Sequence, residues 1–356
     1  MLGRRKNLIA AVATAAVLLA TSCLPPDPSA GQSDPTLGGC PLFPADNYWH
    51  SNVRSLAVHP RSGAWVAALG RSNPVHPDFG SGTWQGKPIG FPYVVVDGNQ
   101  PKVPVSFQYA SESEPGPYPL PFDAPVEGGQ DDTGDRHVIV VDSTNCTSYE
   151  LWNARRGPNP GAGWTAGSGA VWNLRSNAMR PAGWTSADAA GLPMLPGLVR
   201  YDEVASGDIN HAIRFTVGAH ARTHIWPARH LSDANTDPNL PPMGAWFRLK
   251  ASYDISNLPP QAKVVAQAMK DHGIIVADAG ASWFLSGASD PRWNNQDLLK
   301  LRTITGDAFE AIDASPMMID PNSAQARVVI PEAVVRALQQ QRSRPAPAKR
   351  ARSRRR

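Results

Sequence analysis

Arg136-His-Val-Ile-Val-Val-Asp142, then Ser-Thr-Asn-Cys146, then Thr147-Ser-Tyr-Glu-Leu-Trp-Asn-Ala154, is the stretch that decides the fold. Val138 to Val141 is an unbroken β-branched run, too short for an ordinary helix. Side chains alternate across a strand, so a run apolar at every position needs cover on both faces. Ser143 to Asn145 supplies turn residues. Thr147 to Ala154 then predicts a returning strand, and the two segments read as a hairpin.

Working outward, strand patterns recur. Tyr93 to Val96 is a short apolar run, and Lys102 to Tyr109 alternates. Further strands are predicted at Gly169–Leu174, His211–Val217, Thr223–Pro227, Ala245–Ala251, Ile274–Ala277 and Trp283–Leu285. Helical patterns are fewer. Pro260 to His272 is the clearest, with Pro at its start, Val264, Val265, Ala268 and Met269 on one side, and Gly273 as a stop. Pro60–Leu69 and Pro331–Gln340 are two more. The 30 Gly and 35 Pro are scattered, which implies many turns. The fold class predicted is mainly β, a sandwich or jelly-roll-like core with a few peripheral helices.

The two ends read differently. Arg4, Arg5 and Lys6 precede an apolar run from Leu8 to Ala20. That run of about 13 residues falls short of the roughly 20 that cross a bilayer as a helix. It has the layout of a signal peptide over residues 1–22. Leu19-Ala-Thr-Ser-Cys23 resembles a lipoprotein box, which would place a lipid on Cys23 and anchor the chain to a membrane. Ordinary cleavage and free secretion is the alternative. Residues 23–39 read as a flexible tether, 40–340 as one β-rich extracytoplasmic domain, and 341–356 as a disordered basic tail. Eight basic residues lie in that tail and three in the leader, so the formal charge of +4 becomes −7 once both are set aside. The tail could touch anionic lipid or wall polymer by charge alone. An exported chain makes nucleic acid an improbable partner.

Of the three cysteines, Cys40 and Cys146 remain as a pair if Cys23 carries lipid. Outside the cytoplasm such a pair is expected to form a disulfide.

No Gly-rich phosphate loop, His-Glu-x-x-His, Gly-x-Ser-x-Gly or paired Cys-x-x-Cys is present. This disfavours nucleotide, zincin and common serine-hydrolase chemistry, and no cofactor or metal is expected. His220, His224 and His230 lie close together in sequence, but no acidic ligand accompanies them. The densest segment, Arg180 to Val204, holds Trp184, Asp188, Arg200, Tyr201, Asp202 and Glu203 between glycines and prolines. Long loops with aromatics and carboxylates often carry binding and catalysis.

Glycoside cleavage needs two carboxyl groups, one protonated and one charged. Asp188 and Glu203 could supply them, although Asp202 and Glu203 would equally suit the first turn of a short helix at 202–206. His211 is a proton-transfer candidate, or a satisfied core residue beside Ile209, Ile213 and Phe215. Asp278 ends a strand beside Gly280, as a catalytic carboxyl or as turn chemistry. Trp184, Trp226 and Trp283 are candidate stacking platforms, and Arg200 and Arg214 candidate substrate ligands.

Phe43-Pro-Ala-Asp-Asn-Tyr-Trp49, Gln100-Pro-Lys-Val-Pro-Val105, Asp135-Arg-His-Val138, Arg180 to Val204, Trp226-Pro-Ala-Arg-His230 and Ser289-Asp-Pro-Arg-Trp293 together resemble an uncharacterised family of secreted bacterial proteins. The resemblance spans roughly 40–313. It implies export and carries over no site. The functional expectation is therefore a cell-envelope protein that cleaves polysaccharide by cofactor-independent acid/base chemistry. The alternative is a non-catalytic lipoprotein that binds glycan or wall polymer.

Overall fold

The computed structural model describes residues 35–232 and 235–329. The leader, Cys23, the Pro331–Gln340 helix and the basic tail lie outside the described residues. The fold is mainly β, 28% strand against 17% helix, with several sheets and few short helices.

The Val138–Asp142 strand is buried at all five positions. It pairs antiparallel with Thr147–Trp152, Val140 opposite Tyr149, and parallel with Tyr93–Val96. Ser168–Asn173 completes this four-stranded sheet. Its two faces belong to two apolar cores. Ile139 and Val141 join the main core, whereas Val138, Val140, Tyr149 and Leu151 join a second core with Trp164 and Ala166. Period-two alternation explains why every residue of the run had to be apolar.

A three-stranded sheet of Arg155–Arg156, Trp164–Ala166 and Val105–Phe107 contributes to the second core. A six-stranded sheet shares the main core. Its order is Phe309–Ile312, Trp246–Leu249, Ile274–Ala279, Ile213–Val217, Phe284–Ser286, His76–Asp78. The result is sandwich-like, but three pairings in the two larger sheets are parallel. Parallel neighbours need crossover connections, which separates the core from an all-antiparallel jelly roll.

The helices sit where their patterns place them. Pro260–Asp271 starts on proline and buries Ala262, Val265, Ala266, Ala268 and Met269. Gly273 follows with φ of 74°, a left-handed turn that a β-carbon would strain. Ser62–Leu69 packs on the Phe309–Ile312 strand. The strand expected at Thr223–Pro227 is instead a turn, closed by Ala228 N–H donating to the Ile225 carbonyl at 2.9 Å. Pro227 has no N–H to give a ladder. His211 precedes the Ile213–Val217 strand rather than opening it.

Cys40 and Cys146 are joined by a disulfide. It ties the short Thr36–Pro41 hairpin to the turn of the central one. No helix among the described residues is long and apolar enough to cross a membrane.

Candidate functional site

The site begins with a register shift. Arg214 pairs with Ile275 and Phe215 with Val276, but the next residue, Thr216, pairs with Asp278. Ala277 is therefore an extra residue, a bulge in the Ile274–Ala279 strand. Paired residues share a face of a sheet. Without the bulge Asp278 would point with Val276 and Phe215, toward Phe247 and Trp283. With it, Asp278 turns to the face of Arg214.

Arg214 is sealed from solvent. Its Nε donates to Asp188 Oδ2 at 3.0 Å and its Nη2 to Asp188 Oδ1 at 2.8 Å. Nη1 donates to Ser286 Oγ at 2.5 Å, and Asp278 Oδ2 lies 3.7 Å from Nη2. Asp188 is presented by a loop whose Ala190 N–H donates to the carbonyl of the bulge residue Ala277, at 2.9 Å. The bulge thus fixes both members of the carboxyl pair, because it turns one and docks the loop of the other. Asp278 and Asp188 thus face the same Arg214 nitrogen. The Asp278 side chain keeps 23% exposure, while that of Asp188 has none. Burial, then the charge of Asp188, pushes the Asp278 carboxyl well above the usual range against the pull of Arg214.

His137, one residue before the deciding strand, joins this cluster. Its Nδ1 lies 2.5 Å from Glu127 Oε2 and its Nε2 2.9 Å from the Ala187 carbonyl. Both partners only accept, so both ring nitrogens donate and the ring is a cation. Burial alone would lower it, but Glu127 overrides burial and raises it to about 9. Burial likewise raises Glu127, and the His137 charge and hydrogen bonds overcome this and hold it below the usual range. Glu127 keeps 26% side-chain exposure. Asp78 stands exposed at the end of its strand, within electrostatic reach of Glu127 and Arg214. Arg214 also lies 5.1 Å from the centre of the Phe91 ring, which meets His137 edge-on.

The expected site residues therefore divide. Asp188, Asp278 and Arg214 come together. Glu203, His211 and Arg200 form a separate knot. Glu203 is ion-paired with Arg200 through one oxygen and lies 3.2 Å from His211 Nε2 through the other. His211 Nδ1 reaches the Ala212 carbonyl at 2.8 Å, and the ring is fully buried. The Glu203 carboxyl stays below the usual range, because Arg200 and then the contact with His211 outweigh the effect of burial. Asp188 and Glu203 are thus not a pair facing each other across a substrate bond. Each is neutralised by its own buried partner. Nor are Arg200 and Arg214 available to a ligand, since both are buried and paired.

The tryptophans divide too. Trp283 cannot stack on a ligand. It is fully buried between Phe215 and Phe309, with Nε1 donating to the Leu69 and Gly70 carbonyls. Trp226 is half-buried against Tyr48, and its Nε1 donates to the Ser323 carbonyl at 3.0 Å. Trp184 is half-buried with the Arg180 guanidinium 5.4 Å from its ring centre. His220 meets Ser232 at 3.0 Å and His230 lies 3.8 Å from Glu112. Among the described residues no three His, Cys, Asp or Glu side chains converge as metal ligands.

His137, Glu127, Asp78 and Ser286 were missed by the sequence reading. One signal existed for His137: a polar residue next to a strand covered on both faces is itself buried, and a buried polar group is informative. Glu127 had none, since it lies in a loop of ordinary polar composition. Glu150, also overlooked, is buried in the central hairpin and accepts from Trp172 Nε1, Met194 N and Leu195 N at 2.9–3.0 Å. It fixes the loop after Asp188. No family model, no curated protein and no solved structure matches this chain.

Proposed function

We propose that this is an exported cell-envelope protein, anchored through a lipid on Cys23 or freely secreted, that cleaves polysaccharide by cofactor-independent acid/base chemistry. Asp278 acts as the proton donor and Glu127 as the ionised carboxylate. The observation that carries this reading is a division of state around one buried pair of cations. Burial and Asp188 raise the Asp278 carboxyl, His137 lowers that of Glu127, and both keep solvent access. Carboxyls whose environments push their ionisation apart mark acid and base roles. In a hydrolysis, Asp278 would give its proton to the leaving glycosidic oxygen. Glu127 would take a proton from the water that attacks the anomeric carbon. Arg214, Asp188 and His137 act as positioning residues.

The disulfide supports the extracytoplasmic part of the reading, because such bonds persist in oxidising compartments. The test is incubation of the purified protein with xylan, laminarin, polygalacturonate and soluble peptidoglycan strands, reading new reducing ends and retention together. New ends, lost in Asp278→Asn and in Glu127→Gln, are the expected result. Retention without new ends would leave the non-catalytic glycan-binding alternative, and neither signal on any glycan would remove carbohydrate altogether.

A further inference from the structure

Trp84 is the most exposed aromatic side chain among the described residues, at 71%. It is not on a loose loop. Thr83–Trp84 and Lys87–Pro88 form a small antiparallel hairpin with Trp84 opposite Lys87. The two turn residues, Gln85 and Gly86, have φ of 51° and 82°. Positive φ at both positions is what the tight primed hairpin turn requires, and only Gly adopts it without strain. Both flanks are fastened. Lys87 is ion-paired with Asp132, on the loop that carries Glu127. Ser81 exchanges two hydrogen bonds of 2.9 Å with the Asn295 side chain. Asp78 lies six residues before Trp84 in the chain.

The molecule thus fixes the stem of a hairpin and leaves its large aromatic uncovered, next to the two segments that supply rim carboxyls. The neighbours Thr83, Gln85 and Lys87 are polar, so the surface is a lone ring among hydrogen-bonding groups rather than a broad apolar patch. A flat apolar face rimmed by donors and acceptors matches a sugar ring, which offers C–H groups on its face and hydroxyls at its edge. We propose that Trp84 is the aromatic platform on which a pyranose unit of the polysaccharide stacks, held by the hairpin that the Lys87–Asp132 ion pair ties to the loop of Glu127. This rests on the carbohydrate reading and adds its subsite.

The test is affinity electrophoresis of wild type, Trp84→Ala and Trp84→Phe through gels containing xylan, laminarin, polygalacturonate or soluble peptidoglycan strands. On a glycan that retards wild type, Trp84→Ala should bind roughly tenfold more weakly, and Trp84→Phe should fall between the two. Equal retardation of Trp84→Ala and wild type would overturn the platform and leave the polysaccharide reading standing. No retardation of wild type on any of the four would overturn both. Because Trp84 is exposed, all three proteins should melt together, which a thermal scan checks.

Discussion

Asp188 and Arg214 meet as a two-point ion pair, with nitrogen–oxygen distances of 3.0 and 2.8 Å, and neither side chain reaches solvent. The pair joins the loop around residues 186–192 to the middle of the six-stranded sheet. A buried pair is worth little against apolar residues of the same shape, but breaking it strands a charge. Arg214→Met should therefore cost about 3–5 kcal/mol, measured by urea unfolding. The double substitution Asp188→Leu with Arg214→Met should cost much less than the two singles added. Full additivity would mean that the two side chains do not act on each other.

Asp278 carries the opposite liability. Its folded proton affinity is raised, by burial first and Asp188 second. A raised carboxyl contributes its full stability only below the unfolded value of about 3.9, and loses it as pH climbs toward the folded value. Asp278→Asn has no proton to lose. Its melting temperature should gain on wild type as pH rises above about 4, while cleavage of polysaccharide disappears. A constant difference across that range would show that Asp278 ionises freely in the folded chain.

The His137 ring gives a direct spectroscopic readout. Its folded value is about 9, above the unfolded value of about 6.5. The stability this contributes is complete below about pH 6.5 and is lost as pH rises through 9. Proton NMR should show one imidazole titrating near 9, absent from His137→Gln. A ring titrating below neutrality would mean that Glu127 is not its charged partner.

Reduction should weaken the domain strongly. The bond between Cys40 and Cys146 spans a sequence separation of 106. A loop of that length corresponds to about 4.7 kcal/mol on the chain-entropy account. Urea unfolding with and without reductant should differ by an amount of this order, and Cys40→Ser with Cys146→Ser should reproduce the reduced curve. A shift below about 1 kcal/mol would mean that the unfolded chain is already constrained elsewhere.

The fold was more legible than the site. Val138 to Val141 announced a strand covered on both sides, and Pro260 with Gly273 bracketed a helix, because these signals are carried by residues two to four apart. Asp188, Asp278 and Arg214 stood among the candidates for their residue types, but so did Glu203 and His211, which pair with each other, Glu203 also with Arg200. Nothing local separates a carboxylate that neutralises a buried guanidinium from one that faces solvent. Trp283 and Trp84 show the same ambiguity: one is sealed between Phe215 and Phe309, the other stands uncovered.

By itself the sequence determined the layered β class, the main helix and the cysteine pair, since periodicity and residue chemistry act over short stretches of chain. Only the tertiary structure decided which polar groups share a site. Strand partners come from distant segments, and the single extra residue at Ala277 is visible only as a shift against Ile213–Val217. That shift sends Asp278 to the face of Arg214, and a one-residue change of register reverses the direction of a side chain.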